Sequence, residues 1–83
     1  MIVMTEKTVV IGSSLDARQA ALFVQTASKF DCNIQVAIGD KKINAKSIMG
    51  TIALGIVEGQ TAVITADGRD EGNAAEELCR LLA

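Results

Sequence analysis

The sequence predicts one α+β domain, an open-faced two-layer sandwich in which three helices cover one face of a four-stranded antiparallel sheet. Three observations lead to this fold class. Segments with alternating apolar residues and segments with helical spacing follow one another in the order β-α-β-β-α-β-α. Hairpin and crossover connections are mixed along that order, which favours an antiparallel sheet. The 83 residues, 49% of them apolar, suffice for a single domain over 1–83 with one small core.

The first half of the chain predicts a strand, a helix and a second strand. Residues 2–11 are rich in β-branched side chains and are followed by Gly12, so we expect a first strand there. Asp16 then begins a helix, because Gln19 follows three residues later as in a capping box and apolar residues recur behind it with helical spacing. The alternation over 33–38 predicts a strand with one buried face.

The second half predicts four more elements, which are separated by Gly- and Asp-containing turns. They are a strand at 42–45 that returns from a turn at 39–40, a short helix at 47–54, a strand at 61–66 and a last helix that begins at Asp70 or Glu71. Ser47 stands immediately before the apolar run of the short helix, where a hydroxyl caps the free N–H groups of a helix.

The composition argues against several classes of function. The net charge is −2, and no aromatic residue lies among Lys41, Lys42 and Lys46, the densest basic stretch, so we expect no binding to nucleic acid. The sequence contains no His and only two Cys, so we expect no metal site and no cofactor. No apolar segment is long enough for a signal peptide or a membrane span, which predicts a cytoplasmic protein without membrane contact.

Two stretches of the sequence resemble the HPr family, the histidine-containing phosphocarrier proteins of the bacterial sugar phosphotransferase system. They are SSLDARQAALFVQTASKF at 13–30 and KINAKSIMGTIALG at 42–55. The similarity continues in register through ITADGRDEGNAAEEL near the end of the chain. The resemblance implies the HPr fold, a β-α-β-β-α-β-α open-faced sandwich, and a phosphorylated protein that is not an enzyme.

The resemblance also implies two sites. In HPr the first helix opens with a His-Ala-Arg-Pro motif, and enzyme I phosphorylates that His, which passes the phosphate to sugar-specific enzymes II. The corresponding residues here are Asp16, Ala17, Arg18 and Gln19, so Asp16 occupies the former phosphohistidine position and we expect no histidine phosphotransfer in sugar uptake. The second family site is the Ser of SIMG, which HPr kinase/phosphorylase of Gram-positive bacteria phosphorylates with ATP. It matches Ser47.

A retained serine with a lost histidine is the combination seen in the Crh-like group of the family. Such proteins bind a catabolite control transcription regulator once their serine is phosphorylated. The resemblance therefore favours a regulatory phosphoprotein of carbon catabolite repression, with the kinase and that regulator as partners. Other HPr-binding proteins are possible partners as well.

The short helix carries more apolar residues than two turns can bury. If Thr51 and Leu54 face the core, Ile48, Met49 and Ile52 lie on the outer side. These three side chains would then supply contact area for a partner, while phosphate on Ser47 would supply a charged acceptor for its Arg or Lys. The simpler alternative is a serine that only caps the helix, beside an apolar patch without a role.

Several alternatives stay open from the residues alone. Asp16 is a plain N-cap, a charge that imitates phosphohistidine, or a phosphoacceptor of a residual carrier. Arg18 is a solvated residue of the first turn or a ligand for phosphate or a partner carboxylate. The protein could also compete for HPr partners without being modified. The chain is either a monomer or a dimer formed by exchange of the first strand, which begins near Ile2 and Val3.

Overall fold

The computed structural model of the protein describes residues 4–83. Seven elements follow in the predicted order: β1 (Thr5–Val10), α1 (Ala17–Ser28), β2 (Asn33–Ile38), β3 (Lys41–Asn44), α2 (Ile48–Leu54), β4 (Thr61–Asp67) and α3 (Glu71–Leu82). Ile2 and Val3, which were expected to begin the first strand, lie outside the described residues.

The four strands form one antiparallel sheet with the order β1-β4-β2-β3. β4 is central and pairs on one side with β1, where Thr5 is opposite Ala66, and on the other side with β2, where Ile34 is opposite the same residue. β3 pairs with β2 as a hairpin across the turn at 39–40. The predicted sheet is confirmed, and β1 and β3 are its two edges.

The core lies between the sheet and the helices. Every second residue of β2 and β4 is buried on the helix side, and Phe23 of α1 is the largest buried side chain. α3 packs on β1 and β4, and α2 packs on β3. Ala62 and Ala66 of β4 and Ala74 and Ala75 of α3 are all fully buried, so short side chains on both elements let the helix approach the sheet closely. None of the helices within residues 4–83 is long and apolar enough to cross a membrane.

The observed bounds differ from the predicted ones by one residue at an end of three strands, including β4, which ends at Asp67 and not at residue 66. β1 ends at Val10 and not at residue 11, although the N–H of Ile11 still donates to the carbonyl oxygen of Gln60 at 2.8 Å, the next pair in the register of β1 and β4. β3 begins at Lys41 and ends at Asn44, one residue before the predicted 42–45. The last helix begins at Glu71, which is one of the two predicted starting residues.

At Gly12 the loop that leads into α1 contacts the C-terminal end of α3. Its N–H donates to the carbonyl oxygen of Leu82 at 2.8 Å, and a side chain at this position would overlap the carbonyl group of Ala83. Only glycine permits this close approach of two backbones. The contact closes the helical layer at the end of the sheet where β1 finishes.

Candidate functional site

Ser47 is the N-cap of α2, and three of its polar groups have fixed partners. Its Oγ accepts a hydrogen bond from the N–H of Gly50 at 3.1 Å, as the sequence predicted for a capping serine. Its carbonyl oxygen accepts from the N–H of Thr51 at 3.0 Å and from the hydroxyl of the same residue at 2.8 Å. Its own N–H donates to the carbonyl oxygen of Asn44 at 3.0 Å. The residue as a whole is half-buried, and its backbone is held by these hydrogen bonds.

The segment before Ser47 is tied to two other elements. The Asn44 Oδ1 accepts from the N–H of Lys46 at 2.8 Å, which closes a tight turn. Ala45 is fully buried, and its N–H donates to the carbonyl oxygen of Ile34 at 2.9 Å. The Lys46 Nζ donates to the carbonyl oxygen of Phe30 at 2.7 Å. Sequence reasoning did not single out the local turn at Asn44, and it missed the other two contacts because they join residues that no local pattern relates.

The outer side of α2 is an exposed apolar patch. Thr51 and Leu54 face the core and are 2% and 7% exposed, as the spacing predicted. The outer residues have exposed fractions of 38% for Ile48, 75% for Met49 and 49% for Ile52. We call these three residues the α2 patch, and it begins at the residue that follows Ser47 in the chain.

Asp16 caps α1 through a complete capping box. Its Oδ1 accepts from the N–H of Gln19 at 2.8 Å, and its own N–H donates to the Gln19 Oε1 at 3.4 Å. The predicted capping box is therefore confirmed. Arg18, in the first turn of the same helix, is exposed and makes no ion pair with the carboxylates of residues 4–83.

The N-terminus of α1 lies beside the C-terminal end of α2. The N–H of Leu15 donates to the carbonyl oxygen of Ile56 at 3.1 Å, and the N–H of Glu58 donates to the Ser14 Oγ at 2.9 Å. Seven helical residues, about 10 Å along the axis, separate this junction from Ser47. Asp16 and Arg18 thus lie near one end of α2 and Ser47 lies at the other. Val57, 49% exposed, adds an apolar side chain at this junction that the sequence reasoning did not single out.

The cysteine thiols, whose pKa values are shifted, lie away from the two capping residues Asp16 and Ser47. Burial raises the pKa of the Cys32 thiol, and the neighbouring Asp70 carboxylate raises it further. Burial also raises the pKa of Cys79. Both thiols are free and stay protonated at neutral pH, which makes them poor nucleophiles. No three His, Cys, Asp or Glu side chains come together as metal ligands within residues 4–83.

Comparison with known proteins decides the family. The family model for the phosphorylation site of the HPr component of the phosphotransferase system matches residues 4–83. The chain belongs to the HPr family. Its structure is similar to that of HPr from Bacillus anthracis, with 40% identity, a TM-score of 0.92 and coverage of 96% of this chain and 98% of that one.

The HPr-family chain is also similar to Crh of Bacillus subtilis. The solution structure of Crh is 39% identical with a TM-score of 0.79, and the match covers 96% of this chain and 95% of Crh. A crystal structure of Crh, in which a swapped domain forms an intertwined dimer, is 40% identical with a TM-score of 0.77 over 89% of this chain and 85% of that one. Both comparisons, like that with HPr, agree with the predicted fold.

Members of the HPr family are phosphocarrier proteins of the phosphotransferase system and not enzymes. The identities to HPr and to Crh are nearly equal, at 40% and 39%. Overall similarity therefore does not separate a carrier from a regulator. That distinction depends on what the residues at positions 16 and 47 can do.

Proposed function

We propose that this protein is a regulatory, cytoplasmic member of the HPr family that is phosphorylated on Ser47 by an HPr kinase/phosphorylase. In its phosphorylated form it binds a catabolite control transcription regulator. One observation carries the proposal: Ser47, a half-buried serine, stands directly before the exposed α2 patch, while position 16 holds a capping Asp and the sequence contains no His.

The charge that phosphorylation adds explains how the surface would change. A phosphoserine carries nearly two negative charges at neutral pH and three acceptor oxygens. The α2 patch offers apolar contact area beside it, and a partner Arg or Lys would pair with the phosphate. The carbonyl oxygen of Ser47 keeps its two donors from Thr51, so α2 has a backbone anchor that does not depend on the hydroxyl.

The geometry of Asp16 favours this regulator over a residual phosphocarrier. The Oδ1 of Asp16 already accepts the N–H of Gln19, and this cap contributes about 1 kcal/mol to the stability of a helix. Phosphorylation of the carboxylate would compete with that bond. Incubation with enzyme I and phosphoenolpyruvate should therefore leave no hydroxylamine-labile phosphate on the protein.

The kinase reaction tests the proposal directly. Wild type, Ser47→Ala and the matched control Ser13→Ala, which changes an exposed serine outside the helices, are incubated with ATP and an HPr kinase/phosphorylase. Mass spectrometry should find one phosphate on wild type and on the control, and none on Ser47→Ala. Unmodified wild type, or equal phosphate on Ser47→Ala, would refute the mechanism.

Binding measurements separate a phosphorylation switch from an unmodified binding module. If phosphate on Ser47 creates the docking surface, phosphorylated wild type binds the regulator more tightly than unmodified wild type or Ser47→Ala does. A module that competes with HPr without modification would bind equally well in all three forms.

Light scattering on the same samples distinguishes a monomer from a dimer such as the one formed by Crh.

A further inference from the structure

Gly50 is a helical glycine that its own backbone conformation does not require. It is the third residue of α2, and it is not among the glycines with positive φ, which are Gly39, Gly55, Gly59 and Gly68. Glycine inside a helix is about 1 kcal/mol less favourable than alanine. The missing side chain therefore has to be understood from what surrounds position 50.

The surroundings are Ser47 and Ile43. A Cβ on Gly50 would lie 3.2 Å from the Ser47 Oγ and 3.4 Å from the Ser47 Cβ. It would also lie 3.4 Å from the Cβ of Ile43, a half-buried residue of β3 that packs against the core. The contact with the Oγ is tighter than an ordinary van der Waals contact, and Ile43 is also at contact distance, so an added methyl group would press on the serine hydroxyl.

We propose that Gly50 is a positioning residue for phosphorylation of Ser47, because the absence of its side chain leaves room at the nucleophile. The inference rests on the proposed function. In the transfer, the Oγ of Ser47 forms a bond to the γ-phosphorus of ATP, the bond from that phosphorus to ADP breaks, and the hydroxyl proton passes to a base of the kinase. The product carries a phosphate with three oxygens where the substrate carried one hydrogen. A methyl group in contact with the Oγ opposes that increase in volume.

The chain contains a matched control. Gly72 also lies in a helix, in the first turn of α3, and a Cβ there would meet nothing within 4 Å. Gly72→Ala and Gly50→Ala make the same chemical change with the same gain in helix propensity. They differ in whether the new methyl group touches Ser47.

The first measurement compares kinase kinetics and thermal unfolding for both variants. Gly72→Ala should raise Tm by about 4–8 °C and keep the wild-type kcat/KM for phosphorylation. Gly50→Ala should gain less in Tm, stay folded, and lose about tenfold in kcat/KM, equivalent to ~1.4 kcal/mol. A folded Gly50→Ala protein that is phosphorylated at the wild-type rate overturns the inference.

The second measurement needs no kinase. Ser47→Cys is combined with the wild-type, Gly50→Ala and Gly72→Ala backgrounds, and iodoacetamide alkylates the introduced thiolate with loss of iodide. Peptide mapping separates this thiol from the buried Cys32 and the half-buried Cys79. The limiting rate at high pH, where every introduced thiol is ionised, should fall about fivefold in the Gly50→Ala background only.

The two measurements distinguish the inference from the function on which it rests. Equal alkylation rates in the three backgrounds overturn the role of Gly50 even if the kinase acts on Ser47. Wild type that is not phosphorylated, together with slowed alkylation in the Gly50→Ala background, defeats the proposed function and leaves the geometric claim supported.

Discussion

The ammonium group of Lys46 donates a hydrogen bond of 2.7 Å to the carbonyl oxygen of Phe30, sixteen residues earlier in the chain. Phe30 lies just beyond the C-terminus of α1, where helical carbonyl groups lack partners and a positive charge is favourable. Lys46 immediately precedes Ser47, so this bond fixes the entry to α2 against the end of α1.

We expect Lys46→Met to lower the free energy of unfolding by about 1–2 kcal/mol, because a part-buried carbonyl oxygen loses its donor while the aliphatic stem is kept. Urea denaturation measures the change. The control is Lys42→Met, an exposed lysine whose ammonium makes no hydrogen bond to another residue of 4–83, and its effect should stay within about 0.5 kcal/mol. Equal losses in both variants would contradict the role given to this bond.

Asp16→Ala should lower Tm by about 4–8 °C, because the capping box loses its carboxylate acceptor at a cost of about 1 kcal/mol. Asp16→Asn keeps an acceptor oxygen and should unfold close to the wild-type temperature. Calorimetry checks both values. If Asp16→Ala were also phosphorylated more slowly on Ser47 while folded, the first turn of α1 would belong to the surface that the kinase recognises.

Met49→Ala should weaken binding of the phosphorylated protein to the regulator by about tenfold, because the most exposed side chain of the α2 patch loses its contact area. Its stability should change by less than about 0.5 kcal/mol. Val10→Ala is the matched control, since Val10 is 61% exposed on β1, outside α2. Calorimetric titration of both phosphorylated variants tests the docking surface, and an equal loss for Val10→Ala would argue against it.

Stability should fall as the pH rises above 9.0, the ordinary pKa of a cysteine thiol. Burial, helped by Asp70, raises the pKa of Cys32 in the folded state, so the unfolded chain loses its proton first and gains stability relative to the native state. The contribution is fully present below pH 9.0 and is lost above it. In Cys32→Ala the free energy of unfolding should fall less steeply with pH above 9.0, as measured by urea denaturation at several pH values. Cys79, whose pKa is also raised, accounts for the fall that remains.

At acid pH, Asp70 should make the stability of the fold rise with increasing pH, the opposite of the effect of Cys32 at alkaline pH. Partial burial works against its charged form, but the N–H of Asp31, which donates to its Oδ2 at 3.2 Å, and the thiol of Cys32 lower its pKa below the ordinary 3.8. Its contribution is present above pH 3.8 and is lost as the pH falls through the lowered value. Acid titration of unfolding should therefore be shallower for Asp70→Asn, and an unchanged slope would contradict this assignment.

The sequence predicted those features that depend only on residues within one or two helical turns of each other. The Asp16–Gln19 spacing specifies a capping box because both partners lie in the same helical turn. The exposure of the α2 patch follows from helical periodicity in the same way. The strand order and the bond between Lys46 and Phe30 join residues that are distant in the chain, so no local pattern could reveal them.

The candidate site was predictable in part for the same reason. A serine before an apolar helical run is common as a plain cap, so the proposal that Ser47 is phosphorylated came from the resemblance to HPr and not from the local pattern. The space at Gly50 could not be predicted at all. It depends on the position of Ile43, which β3 brings beside the first turn of α2 only in the folded chain.

The edge position of β1 has a consequence for synthesis of the protein on the ribosome. Residues 5–10 hydrogen-bond in the sheet only with β4, whose residues 61–66 are their partners. At translation rates of about 5–20 residues per second, β1 is synthesised roughly 3–10 s before its partner strand. The hairpin of β2 and β3 needs no such wait, because its strands are neighbours in the chain. The sheet therefore cannot be completed until β4, which joins β1 to the hairpin of β2 and β3, has been made.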